Sequence, residues 1–197
     1  MIPGETITLR AVERHDAPLL HRWFNDSVVM RGWGWSAPVR SLQDVAAHLE
    51  DWLARESALG RPEALVAESL EGDAVGLVVL RVDRPEARSV ELSLLVAAER
   101  WGHGFGTDMM ETVLEACFAG WGVHRVGVRV EDGNARALAL YRGLGFQDEG
   151  RLRQAGFHDG EHVDVLLLAL LAPEWTTQRG HALMTTRRDL SRQPAGG

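Results

Sequence analysis

One stretch constrains the fold of this chain more than any other: a short apolar segment, three glycines at alternate positions, and then a helical pattern. Residues 90–96 read VELSLLV, an apolar run typical of a buried strand. Gly102, Gly104 and Gly106 follow. After them, apolar residues recur at helical spacing: Met110, Val113, Leu114, Cys117, Phe118 and Trp121. The stretch predicts a strand, a turn with exposed backbone and the beginning of a helix, in that order.

The glycine turn is suited to an anionic ligand. Glycine allows the backbone to approach a ligand closely, and the first turn of a helix presents N–H groups that have no partner within the helix. With the helix dipole, these groups form a site for a phosphate or pyrophosphate. No Lys-Ser or Lys-Thr pair follows, and the glycine spacing is not that of the dinucleotide-binding motif, so neither nucleotide loop is predicted. Taken alone, the glycines are equally compatible with a tight turn.

A second motif, NARALALYRGLGF, occupies residues 134–146. The glycine turn and this motif, in this order, resemble the two signatures of the GNAT superfamily of N-acetyltransferases, and the resemblance extends over about residues 5–175. The segments 151–153, 157–160, 163–165 and 174–175 are similar to the C-terminal pattern of its RimJ/RimL-like branch. Trp101 stands where the family often has Arg or Gln, although a Trp is familiar there in that branch.

The resemblance implies an α/β protein with the GNAT acyl-CoA N-acyltransferase fold, a central mixed sheet with helices on both faces. It also implies that the strand at 90–96 splays away from the next strand, and that the pantetheine arm of acetyl-CoA enters the gap. The residues implied to bind acetyl-CoA are Leu94, Leu95, Val96, Trp101, Gly102, His103, Gly104, Phe105, Gly106, Thr107, Asn134, Arg136 and Ala137. Asn134 is also a good helix cap, and both roles remain open.

Two residues are predicted to be catalytic. Tyr141 is the only tyrosine of the chain, and the resemblance places it where the family has a general acid for the departing thiolate. Its alternative role is an aromatic that packs between a helix and the sheet. Glu91 is expected to act as a water-assisted general base or to hold the substrate amine, and its alternative role is a salt-bridged residue at a sheet end.

Five residues are predicted to border the acceptor. Ser93 shares the face of Glu91 by strand alternation. The other four lie in segments that border the acceptor site in relatives, although the default role of each one taken singly is to cover the core: Trp33, Trp35, Phe157 and His158. The histidines show no metal-ligand spacing, so no metal is predicted.

Hydrophobic periodicity predicts the remaining elements. A strand at 7–11 precedes a helix that Asp16 caps and that ends at residues 25–26, and a loop over 28–39 follows. Ser41 begins a second helix with a capping box that uses Asp44. Further strands are expected at 64–68 and 74–82, joined by a hairpin turn at 71–73, and at 125–130 and 163–171, with a helix at 134–144.

Composition limits the partners. The length of 197 residues fits one domain. The formal net charge of −7 argues against a nucleic-acid partner. We expect a single domain over residues 1–175 and a mobile tail over 176–197. With no apolar run long enough to span a bilayer, we expect no membrane partner and a cytoplasmic location.

The leading hypothesis is an enzyme that moves the acetyl group from acetyl-CoA to a primary amine by direct attack. The amine would belong to a small molecule or a peptide N-terminus. The alternatives are a catalytically silent acyl-CoA-binding regulatory module and an oligomeric partner protein. A homodimer is compatible with each of them.

Overall fold

The computed structural model describes residues 1–33, 39–54, 60–158 and 160–177 of the chain. Within these residues, eight strands form one mixed sheet in the order β1-β2-β3-β4-β5-β6-β8-β7. Neighbouring strands are antiparallel except β5 and β6, which are parallel. The strands are β1 Ile2–Pro3, β2 Ile7–Ala11, β3 Ala64–Ser69, β4 Ala74–Arg84, β5 Ser89–Val96, β6 Arg125–Glu131, β7 Gln147–His158 and β8 Glu161–Leu171.

The helices lie on both faces of the sheet, as expected for the fold class. They are α1 Ala17–Phe24, α2 Ser27–Trp33, α3 Leu42–Ala54, α4 Phe105–Glu115 and α5 Ala135–Gly143. Buried side chains of α4 and α5 form one core with residues such as Val90 and Leu92 of β5. Those of α1, α2 and α3 form a second core with Leu95 on the opposite side of the same strand. Strand alternation therefore decides which helices each β5 side chain meets.

Residues 28–33, predicted to be part of a loop over 28–39, belong to helix α2, which begins at Ser27. The carboxylate of Asp26 accepts hydrogen bonds from the backbone N–H groups of Val28 at 2.8 Å and Val29 at 3.3 Å. Asp26 therefore caps α2 besides following the end of α1. Val29 and Met30 are buried against the second core, which stabilises a helix too short to form alone. The Gly and Trp residues of this segment suggested a loop, so the Asp26 cap was not predicted.

Asp16 was expected to cap α1, and this prediction is wrong. Its carboxylate accepts no capping hydrogen bond from α1. It accepts the N–H of Glu13 at 2.8 Å and pairs with both terminal nitrogens of Arg10 at 2.8 Å. The reciprocal capping box of Ser41 and Asp44 is confirmed.

Residues 172–177 continue the chain beyond β8 as a helical turn. Trp175 in this turn is 6% exposed and packs against the core of α4 and α5. Residues 178–197, which hold most of the predicted tail, lie outside the described residues. None of the described helices combines the length and apolar character that a membrane crossing requires.

Asp108, in the first turn of α4, joins that helix to the chain entering β2. Its carboxylate accepts hydrogen bonds from the N–H groups of Glu5, Thr6 and Ile7 at 2.6–3.2 Å and from the hydroxyls of Thr6 and Thr112. Burial by itself would raise the pKa of Asp108, but these hydrogen bonds outweigh it and hold the pKa below its usual range. The helix that carries the glycine turn is thereby anchored to the sheet.

We expect Asp108→Asn to lower the free energy of unfolding by about 2 kcal/mol, because part of a buried hydrogen-bond network is left unsatisfied. Since the folded-state pKa is depressed, the stabilisation is present above the unfolded pKa of about 4 and is lost as pH falls through the folded pKa. Urea unfolding at pH 7 and at pH 3 should show the difference from wild type shrinking at the lower pH. Glu111→Gln on the same helix is the control, and an equal loss in both variants would contradict the account.

Candidate active site

The site is an opening in the sheet between its two parallel strands. Strands β5 and β6 pair at only three positions, from Ser89 with Arg125 to Glu91 with Gly127. Beyond them β5 stays paired with β4 as far as Val96, and β6 stays paired with β8 as far as Glu131. The two strands therefore diverge after Glu91, which confirms the splay implied by the resemblance.

The backbone of β5 faces this opening at alternate residues. The N–H of Ala97 donates to the carbonyl of Val75 at 2.9 Å, so alternation turns the backbone groups of Val96 and Leu94 toward the opening. Leu95 is placed differently, because its backbone faces β4 and its side chain is buried in the second core. Of the three β5 residues predicted to bind acetyl-CoA, Leu94 and Val96 have the better position.

The glycine turn borders the same opening. Gly102 and Gly104 have φ angles of +81° and +82°, a left-handed conformation that favours glycine, and Gly104 is the N-cap of α4. A Cβ atom at either position would meet nothing within 4 Å. Among the described residues, the N–H groups of residues 102–106 have no backbone acceptor. The turn thus presents unpaired donors to open space, which fits a pyrophosphate group.

An aromatic–guanidinium pair spans the mouth of the opening. The indole N–H of Trp101 donates to the carbonyl of Val96 at 2.9 Å, so this ring lies on the free edge of β5. The guanidinium of Arg136, in the first turn of α5, lies 4.2 Å from the centre of the Trp101 ring. This contact holds a positive charge beside the unpaired N–H groups of the glycine turn, which favours binding of a phosphate.

Asn134 uses both ends of its side chain. Its Oδ1 accepts the N–H of Ala137 at 3.1 Å and so caps α5, one of the two roles left open by the sequence. Its Nδ2 donates to the carbonyl of Gly32 at 3.1 Å, which ties the end of α2 to the beginning of α5. Elements from the two faces of the sheet therefore meet at this edge of the opening.

The remaining residues of the turn contribute structure as well as N–H groups. His103 Nδ1 donates to the carbonyl of Trp101 at 3.0 Å, and the His103 ring stacks on that of Phe105 with 6.1 Å between ring centres. The N–H of Thr107 donates to the carbonyl of Gly104, so it is used inside the helix. Gly106 lies beneath Val96, with an imagined Cβ 3.5 Å from the valine methyl group.

Glu91 lies at the vertex of the opening and is flanked by two arginines. Its Oε1 accepts a hydrogen bond from Arg81 Nη2 at 2.7 Å, and its Oε2 lies 4.0 Å from Arg129 Nη1. Its side chain is 25% exposed, on the face of the sheet that bears α1, α2 and α3. The salt bridge is the alternative that the sequence left open, and it does not exclude proton transfer through water.

The sequence interpretation missed Arg81 and Arg129. Arg81 is the cross-strand partner of Glu91 on β4, and Arg129 lies two residues beyond the last paired position of β6. Only the register of three strands brings them together. The alternation of Arg81 with Leu80 and Val82, and of Arg129 with Val128 and Val130, is the one signal in the sequence, and it indicates only that both side chains can leave the core of α4 and α5.

Tyr141 is 6% exposed, on the buried side of α5. Its ring centre lies 5.4 Å from that of Phe146. Burial raises the pKa of the phenol above its ordinary value, so the hydroxyl stays protonated at neutral pH. No hydrogen bond joins the hydroxyl to another described residue, and its oxygen is not among the fully buried polar atoms that lack a partner. A neutral phenol with an unused donor has the chemistry of a general acid.

The predicted acceptor residues are only partly described. Ser93 shares the face of Glu91 and is half-buried. Trp33 packs on Phe24 with 6.4 Å between ring centres, so it covers part of the second core. Phe157 is 49% exposed at the end of β7. Trp35 and the side chain of His158 lie outside the described residues. The described residues also hold no group of three or more His, Cys, Asp or Glu side chains placed to bind a metal ion.

Comparison with known proteins agrees with this geometry. The sequence model of the acetyltransferase (GNAT) domain matches residues 6–147. The spermidine N(1)-acetyltransferase of Vibrio cholerae is 28% identical over 169 residues, which cover 86% of this chain and 95% of that protein. The L-methionine sulfoximine/L-methionine sulfone acetyltransferase of Pseudomonas paraeruginosa is 29% identical over 127 residues, covering 63% of this chain and 73% of that protein.

A solved structure has the same fold. The crystal structure of spermidine N-acetyltransferase from Vibrio cholerae in complex with CoA and spermine superposes with a TM-score of 0.79 at 25% identity. The superposition covers 87% of this chain and 98% of that one. The similarity therefore extends over most of both chains.

Proposed function

The chain belongs to the GNAT acetyltransferase family, and we propose that its acceptor is a small-molecule primary amine that reaches the opening from the face that bears Glu91. The enzyme moves the acetyl group from acetyl-CoA to a primary amine. Relatives named for spermidine and for methionine sulfoximine both take small amines, which supports a small acceptor over a protein N-terminus. The RimJ/RimL-like branch and a cytoplasmic location are part of the same proposal.

The observation that carries the proposal is the divergence of β5 and β6 beside the glycine turn. Residues of the turn, Trp101 and Arg136 would hold the phosphates of CoA on the side of α4 and α5. Glu91 and Ser93 face the opposite side of the sheet. Two reactants that enter from opposite faces meet in the opening, so the reacting atoms are brought together without either one blocking the other.

The residues around the opening match the chemistry that amine acetylation needs. An amine is protonated in neutral water, so it must lose a proton before it attacks the thioester carbonyl. The Glu91 carboxylate, with a water molecule, is proposed to take that proton. A backbone N–H on the free edge of β5, such as that of Leu94, would stabilise the oxyanion. The Tyr141 phenol is proposed to donate its proton to the departing thiolate.

The Glu91 assignment predicts a pH-dependent defect. We expect Glu91→Gln to lower the acetylation rate at pH 7 about tenfold or more, and to recover part of the rate toward pH 9, where more amine is already deprotonated. Release of the CoA thiol, followed over this pH range with a panel of polyamines, amino acids, aminoglycosides and short peptides, measures the effect and identifies the acceptor class.

Glu68→Gln is the matched control. Glu68 is 29% exposed in the same sheet and accepts a hydrogen bond from Arg10 at 2.7 Å, much as Glu91 does from Arg81. Both substitutions cost a similar ion pair, so a defect shared by the two would be structural. A Glu91→Gln enzyme with the wild-type rate at every pH would remove Glu91 from the mechanism, and preferred transfer to peptides would overturn the small-molecule acceptor.

A further inference from the structure

We infer that the acceptor amine carries an anionic group, of which a carboxylate fits best, and that Arg129 binds it. This inference rests on the proposed function, because it concerns the acceptor side of the same opening. The inferred acceptor is therefore an amino acid or a related amino-carboxylate and not a polyamine.

Arg129 has the position that such a contact needs. It lies on the divergent part of β6, across the opening from β5, on the face of Glu91. Its side chain is 48% exposed, and its nearest acidic atom, Glu91 Oε2, is 4.0 Å away, beyond hydrogen-bond distance. Among the described residues the guanidinium donates no hydrogen bond. A guanidinium with unused donors presents a planar fork that matches a carboxylate.

The charges around Glu91 favour the same class of acceptor. Arg81 and Arg129 face one carboxylate, so this cluster carries one net positive charge. Glu131 is the next acid along β6, but its carboxylate lies beside Gly156 of β7, where a Cβ would be 2.8 Å from it. Helix α2, residues 27–33, contains no Asp or Glu, and the acids on either side of it are engaged: Asp26 caps α2, and Asp44 in the first turn of α3 bonds Ser41.

A polyamine would bring at least one further ammonium group into these surroundings. Each buried or half-buried ammonium needs a carboxylate or an equivalent acceptor, and Glu91 already accepts from Arg81. An amino-carboxylate needs the opposite arrangement, a cation for its carboxylate and a weak base near its amine. Arg129 and Glu91, which lie beside each other at the vertex of the opening, supply that pair.

The test compares acceptors that differ only in charge. L-Leucine, L-methionine, L-glutamine and L-phenylalanine are each paired with the corresponding amide, with spermidine and kanamycin as polycations. Rates of CoA thiol release are expressed per concentration of deprotonated amine, which removes the different pKa values of the amines. We expect the best acid to exceed its amide about tenfold or more in kcat/KM, the contribution of a charge-assisted hydrogen bond.

Arg129→Gln should abolish that preference by raising KM for the acid, with the amide changed less than about twofold. Arg129→Glu should reverse the preference. Arg14→Gln is the control, because Arg14 is an exposed arginine just before α1 that pairs with Glu50 of α3 and not with a residue of β5 or β6. The ratio of acid to amide isolates the contact from any general loss of activity.

The outcomes distinguish failure of the inference about the anionic acceptor from failure of the proposed function. If spermidine, kanamycin or the amides are used as well as the acids, or if Arg129→Gln leaves the acid-to-amide ratio unchanged, the inference is overturned. If acetyl-CoA binds and no amine in the panel accepts the acetyl group, the proposed function fails instead.

Discussion

Replacement of Tyr141 by Phe is expected to lower kcat for acetyl transfer by about 100-fold or more, with acetyl-CoA affinity changed less than about twofold. The phenol lies among apolar side chains, where burial keeps it protonated, and its hydroxyl has no partner among the described residues. Its one free hydrogen can therefore go to a developing thiolate. Phe preserves the ring and its contact with Phe146, so folding should be nearly unchanged.

The measurement is the initial rate of thiol release with saturating acetyl-CoA and amine, together with calorimetric binding of acetyl-CoA and the thermal midpoint. A structural role for Tyr141 would alter the midpoint or the affinity. An acid role would alter kcat alone. Turnover within a few-fold of wild type in a stably folded Tyr141→Phe protein would show that the hydroxyl only packs in the core.

Gly104→Val should weaken acetyl-CoA binding by about 30-fold or more, because its side chain occupies the space in front of the unpaired N–H groups. A valine at a φ of +82° also strains the backbone. That strain needs its own control. Gly72, in the turn between β3 and β4, has a φ of +90° and open space around it, like Gly104.

Gly72→Val and Gly104→Val should therefore lose similar free energies of unfolding, while only Gly104→Val loses affinity for acetyl-CoA in calorimetry. Equal affinities in the two variants would mean that the glycine turn does not contact the cofactor. A loss of stability confined to Gly104→Val, without loss of affinity in the folded protein, would lead to the same conclusion.

The local hydrophobic pattern of the sequence was sufficient to predict the strand and the helix beside the opening. The change from strand to helical periodicity at the glycines reflects the burial of Leu92 on one side and Met110 and Val113 on the other, and all three are buried in one core. The divergence of β5 from β6 was a different kind of prediction. It came from the family resemblance, since nothing in either strand's own sequence indicates where pairing stops.

Two failures of the sequence interpretation have physical causes. Helix α2 was missed because its stability depends on the burial of Val29 and Met30 against other elements, and its composition alone is poor for a helix. Asp16 was assigned to the wrong hydrogen bonds because Arg10 lies within reach only after β2 and the following turn have folded. A carboxylate before a helix can bond either the helix N–H groups or a residue distant in the sequence, and a single sequence does not show which of the two it bonds.

The electrostatic environment of Glu91 was the largest gap. Its carboxylate was predicted to face a cationic amine, yet Arg81 and Arg129 approach it from two other strands. Long-range register decides this, through the pairing of Arg81 with Glu91 and of Glu91 with Gly127. The role of Glu91 therefore depends on whether its carboxylate can contact the acceptor amine while Arg81 and Arg129 remain beside it.

The proposed reaction is direct transfer of the acetyl group from acetyl-CoA to the amine. The one cysteine, Cys117, is fully buried, and burial raises the pKa of its thiol to about 12, so it is not an available nucleophile. The enzyme is mixed with acetyl-CoA, first alone and then with the preferred amine, and mass spectrometry follows the intact protein and the amine while CoA thiol is counted. We predict an unmodified protein chain and one acetylated amine for each thiol released. Thiol release without acetylated amine, or an acetyl group retained on the protein, would contradict the account.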